Sequence, residues 1–168
     1  MSRVFKGLAI AALLITVLGA GAVLYGLTAF EPQVEYAAVT ATPALHAQET
    51  FDALLEQVQS GTFAGTQFSS AEGLAAEECT FLTYVVRLRN RGFFPAEWLN
   101  LAVVPRQDAM GRDVLQLGDD GAYVLAQGSE GDMRATILRA GNAEEQSREL
   151  ELTCYVFGKK VVVRTKAE

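Results

Sequence analysis

FLTYVVRLR, residues Phe81 to Arg89, alternates: Leu82, Tyr84, Val86 and Leu88 fall on one face, with Thr83, Arg87 and Arg89 on the other. A period of two with one apolar face is the pattern of an antiparallel strand half buried on a core. Outward from it, Asn90-Arg91-Gly92 reads as a turn. Trp98 to Val104 predicts the next strand, with Leu99, Leu101 and Val103 alternating and Pro105 closing it. Val114 to Leu117 and Ala122 to Ala126 flank Gly118-Asp119-Asp120-Gly121, a hairpin turn by composition. Met133, Ala135 and Ile137 share a face within Met133 to Leu138. Glu149 to Phe157 and Lys160 to Lys166 form a last pair around Gly158, with Leu150, Leu152, Cys154 and Val156 in register. With a weak strand near Thr66 to Ser69, roughly eight short strands with turns every 8–12 residues predict a mainly β chain, an antiparallel β-sandwich.

Before the strands the period is 3.6. Phe51, Leu54, Leu55 and Val58 line one helical stripe, Thr42-Pro43 offers an N-cap with proline at the first turn, and Gly61 offers the stop. A short amphipathic helix is therefore expected over 43–61. It packs either on the open face of the strands or against a membrane, and Glu49, Asp52 and Glu56 oppose the second beside anionic lipid. Residues 31–42 show no sustained period and read as a linker.

Earlier still, GLAIAALLITVLGAGAVLYGLTAF, residues 7–30, carries no charge. As a helix it reaches ~36 Å, more than a ~30 Å hydrocarbon core. Arg3 and Lys6 flank one side, Glu31 and Glu35 the other, which by the positive-inside bias puts 1–6 in the cytoplasm. Tyr25, Phe30 and Tyr36 suit an aromatic belt at the far interface. A cleaved secretory signal is the competing reading, but its apolar core runs only ~7–15 residues, and Glu31-Pro32-Gln33 is a poor cleavage site. The expected layout is thus a cytoplasmic tail (1–6), a transmembrane helix (7–30), a linker (31–42), an amphipathic helix (43–61) and an extracytoplasmic sandwich (62–168). Small residues at Ala12, Thr16 and Ala20, and at Ala22 and Gly26, have the spacing that lets helices approach closely, although such residues are common in any membrane helix.

Composition narrows the chemistry. Beyond position 30 there are 12 basic and 20 acidic residues, the opposite of a nucleic-acid binder's balance. One His and two Cys are too few for a four-ligand zinc site. Mean hydropathy is +0.17, and the span accounts for much of it.

VVRLRNRGFFPAEWLNLAV resembles the strand–Asn-x-Gly–Ala–strand hairpin of bacterial immunoglobulin-like modules of the CARDB and NEW3 type. Leu125-Ala126-Gln127-Gly128 before Met133-Arg134-Ala135-Thr136-Ile137 is similar to their Leu-x-x-Gly and following strand. The match covers about 80–166, and the arrangement as a whole resembles single-pass surface proteins of Gram-positive bacteria. The resemblance implies an immunoglobulin-like fold presenting a binding or spacer surface, with no catalytic residues. It also implies that Cys79 and Cys154 could bond across the two sheets with Trp98 packed on them, as in immunoglobulin domains. Three features speak against the bond: Trp98 is farther from Cys79 than the family pattern expects, Leu152 stands where a Tyr is expected, and Cys79 has the opposite parity from Leu82 and Tyr84. Two free thiols, with Cys154 a small core hydrophobe, remain the other reading.

Asp119 and Asp120 with Glu130 and Asp132 could offer oxygen ligands to calcium, but no Asp-x-Asp-x-Asp-Gly framework accompanies them, and solvated loops explain them as well. His46 lies in the amphipathic helix, away from the strands, so no Ser–His or Cys–His pair forms there. Glu77-Glu78 and Glu144-Glu145 are adjacent pairs that point to different sides, and no phosphate loop or Cys-x-x-Cys occurs. No metal, cofactor or catalytic residue is expected. The function expected is a membrane-anchored, non-catalytic interaction or scaffolding module that holds lipid through 7–30 and an unknown protein or cell-wall polymer through its strands. The alternative is an accessory subunit of a larger membrane complex. A hydrolase using loop carboxylates stands third.

Overall fold

A computed structural model of the chain describes residues 2–28, 32–108, 111–118, 123–141 and 147–167. It is mainly β with two helices. The order is α1 (Ser2–Thr28), β1 (Gln33–Pro43), α2 (Gln48–Ser60), β2 (Thr66–Gln67), β3 (Cys79–Arg89), β4 (Ala96–Val103), β5 (Gln107–Asp108), β6 (Gly111–Gln116), β7 (Tyr123–Leu125), β8 (Glu130–Gly141), β9 (Arg148–Val156) and β10 (Lys159–Ala167). All strand pairs are antiparallel. One sheet runs β1-β3-β8-β6-β2, with β5 on β6; the other runs β10-β9-β4-β7.

The alternation of β3 does what the sequence predicts. Leu82, Tyr84, Val86 and Leu88 are buried in a core shared with Met133, Ala135 and Ile137 of β8 and with Leu99, Leu101, Leu150, Leu152 and Cys154 of the second sheet. The two sheets therefore stack face to face. What alternation does not reveal is a second core behind the first sheet. Phe51 and Leu54 of α2 cover Cys79, Phe81, Val114, Leu115 and Leu138 there. The amphipathic helix thus packs on the open face of the strands, and Gly61 caps it at φ 72.

Several boundaries differ from expectation. Of the expected linker 31–42, residues 33–42 lie in β1, which pairs with β3 from Gln33↔Arg89 to Pro43↔Thr80, so the β unit begins at 33 rather than 62. Thr42 and Pro43 pair with Phe81 and Thr80 in this edge strand, where proline is tolerated. A 3-10 turn at Ala44–Ala47 follows, and α2 starts five residues later than proline predicts. α1 is helical through 2–6, and its apolar run is Phe5–Gly26.

The two predicted hairpins are crossovers. β3 and β4, like β6 and β7, lie in different sheets. At the first, the buried Asn90 side chain donates to Phe94 O (2.8 Å) and Leu125 O (3.0 Å) and accepts from Gly92 N–H (2.8 Å). That Asx-type turn steers the chain over the end of the core. Of Gly118 to Gly121 only Gly118 lies within the described residues.

Candidate functional site

The cysteines do not bond. Both are free and buried, Cys79 in the core under α2 and Cys154 in the core between the sheets. The resemblance put them on suitable strands, but Cys79 faces the wrong side of β3. Burial, with Glu78 adding to it, raises the Cys79 thiol to about 11, and burial also raises Cys154. Trp98 does not pack on a core either. It sits at the β4 irregularity between Ala96 and Leu99 with φ 52 and is 65% exposed.

Two of the acidic candidates, Glu130 and Asp132, are taken up in ion pairs on the face of the first sheet. Arg87 binds Asp132 through Nε (2.7 Å) and Nη2 (2.8 Å), which holds that carboxyl below its ordinary range, and Arg89 pairs with Glu130 (3.3 Å). Asp119 and Asp120, with Glu144 and Glu145, lie outside the described residues. His46, Glu77 and Glu78 are exposed. No cluster of three His, Cys, Asp or Glu side chains able to hold a metal occurs among the described residues.

Two features that sequence reasoning missed stand out. One is a buried ionic cluster between the sheets. Arg139 of β8 donates to Asp113 of β6 (3.0 Å) and to Asp108 of β5 (2.7 Å), while Arg148 of β9 lies 3.8 Å from Asp113. The Arg106 amide donates to the second Asp113 oxygen (2.6 Å). Tyr84 is buried in the same core, and burial foremost pushes its hydroxyl up to about 12. Beside the cluster is a cleft of about 370 Å³ lined by Arg106, Ser147, Arg148 and Lys166. The parity signal was present: Arg139 continues Met133-Ala135-Ile137, and Arg148 precedes Leu150-Leu152-Cys154, each on the inward face.

The other feature is a groove of about 480 Å³ beside β4, lined by Phe68, Asn100, Val103, Pro105, Arg134 and Glu151 among others. Among the described residues, β7 covers β4 only from Ala96 to Leu99, and no described strand pairs with this edge beyond Leu99. The Gln116 side chain takes the place of one. Its Oε1 accepts from Val103 N–H (3.0 Å) and its Nε2 donates to Leu101 O (3.1 Å), as the C=O and N–H of one residue in a neighbouring strand would. Close backbone approach of Gly65 to Gln116 and of Gly118 to Ala64 forms the groove's margin, where a Cβ on either glycine would clash. An edge whose amides are held by one displaceable side chain can accept an extended peptide. No protein-family model matches the chain, and no curated protein matches it.

Proposed function

We propose that the chain is a non-catalytic binding module, held at the extracytoplasmic face of a membrane by α1, that takes an extended segment of a protein partner along the open half of β4. The observation that carries the reading is the paired hydrogen bonding of Gln116 to Leu101 and Val103, which mimics a neighbouring strand. The immunoglobulin-like assignment is supported by strand order: β1-β3-β8-β6 over β10-β9-β4-β7 parallels A-B-E-D over G-F-C-C′. The chain visits the D and C′ positions in reversed order, since β6 precedes β7. Anchoring is supported by the 22-residue apolar run Phe5–Gly26, which is exposed from Phe5 to Tyr25 and meets the β unit only at its end, and its orientation by Arg3 and Lys6.

The test is selection of short displayed peptides on the full-length chain in lipid nanodiscs, followed by hydrogen exchange. Bound peptide is expected to protect the amides of residues 100–104. Gln116→Ala, which removes the intramolecular competitor, should tighten binding about ten-fold if two hydrogen bonds of ordinary net worth no longer have to be broken. Protection confined to other strands, or a Gln116→Ala chain that binds the same peptides no better, refutes strand addition here.

A further inference from the structure

The β3–β4 loop lies against the end of the apolar helix, and the β9–β10 turn lies against that loop. Tyr25 and Gly26 form the last turn of Phe5–Gly26. That run rises ~33 Å, a little over the ~30 Å hydrocarbon thickness, which places these two residues where acyl chain meets headgroup. The ring of Phe93, in the β3–β4 loop, is 6.4 Å from that of Tyr25, and the ring of Phe94 occupies the space a Cβ on Gly26 would need. Phe157, at the β9–β10 turn, meets Phe94 edge-on with centroids 4.3 Å apart. Side chains that touch the last turn of a span share its depth.

These aromatics are presented outward. Phe93 is 63% and Phe157 64% exposed. Phe157 also holds φ 50, followed by Gly158 at φ 72, in a two-residue hairpin turn between Val156 and Lys159. Asparagine, with its small polar side chain, suits that first position; a bulky phenyl there is a strained outlier of the kind that marks function. Exposed Arg91, Lys159 and Lys160 flank the two tips, in a region of the chain where acidic residues outnumber basic ones. Aromatic rings beside basic side chains suit the lipid interface, rings at the headgroup level and cations on phosphate.

We infer that the β3–β4 loop and the β9–β10 turn are seated in the interfacial layer of the bilayer, with Phe93 and Phe157 inserted and Arg91, Lys159 and Lys160 on lipid phosphate. The inference rests on the reading of α1 as a membrane anchor. Trp98 is the sole tryptophan, so a Trp98→Phe background accepts single-tryptophan probes. Phe93→Trp and Phe157→Trp report on the two tips. Leu45→Trp, just past the far end of β1 and about 36 Å away along that strand, is the control. The full-length chains go into nanodiscs of anionic and zwitterionic phospholipid, part of it brominated near the headgroup end of the acyl chains. Emission at positions 93 and 157 should fall about two-fold, the quenching expected of an interfacial ring, with position 45 unchanged. In chains that float with the discs, no quenching at the tips, or equal quenching at position 45, overturns the docking while leaving the anchor intact. Chains that fail to float with lipid overturn the anchor and the docking together.

Discussion

Neutralising Asp113 strands buried arginine charge. Asp113 is 1% exposed, and its carboxylate lies 3.0 Å from Arg139 and 3.8 Å from Arg148, both arginines being buried as well. Asp113→Asn keeps the shape and still accepts from the Arg106 amide, so what changes is charge. Removing one partner of a buried ion pair costs about 3–5 kcal/mol because the other charge is left uncompensated. Arg139 retains Asp108 at 2.7 Å, which puts the expected loss near the lower figure, about 3 kcal/mol. A fall in the melting midpoint of about 10 °C follows for a unit of this size. Thermal and urea unfolding of the full-length chain in detergent, followed by circular dichroism, measures it. A combined Asp113→Leu, Arg139→Met, Arg148→Met chain should recover most of the loss, since apolar replacement of a whole buried cluster is often neutral. A loss under about 1 kcal/mol for Asp113→Asn, or a triple variant weaker than the single one, refutes the reasoning.

Both cysteines should take up a thiol reagent without reductant once the chain is denatured; a denatured chain that stays unlabelled until reduced would mean a bond. In the folded chain Cys79 should label about 100-fold more slowly at pH 8 than an ordinary thiol, through its lower thiolate fraction. Cys79 and Tyr84 are held neutral by the fold while the unfolded chain ionises them from about pH 9 and 10, so stability should decline as pH rises past 9 toward 12. Tyr84→Phe should flatten the upper part of that decline in urea midpoints, and an unchanged slope counts against its burial. Trp98→Gly should shift stability by less than about 1 kcal/mol, because relief of a left-handed φ offsets the lost contact, whereas a core tryptophan would cost about 3–5.

Strong periodicity was legible wherever one face met one core. The stripe of α2 and the alternation of β3, β8 and β9 each placed their apolar residues correctly. β1 was hidden because alanines at 37, 38 and 41 give an edge strand, half-buried along much of its length, no contrast between faces. Cys79 shows the limit of parity: its outward phase was readable, but not that a helix covers that side. Arg139 and Arg148 carried the inward phase, and only the habit of placing charge at the surface concealed them. Turn composition at 90–92 and 118–121 marked the chain's reversals and could not say which sheet it enters next. The groove escaped for a different reason: the bonds of Gln116 to β4 join residues far apart in any local pattern.

Between Thr28, where α1 ends, and Pro32, just before β1, there are three residues, which allow the two ends at most about 14 Å of separation. A tether that short gives the β unit little reach of its own. With α1 in a bilayer, a tilt or rotation of the helix would be handed to the sheets almost as through a handle, and a partner for β4 would have to come down to the cell surface to be met.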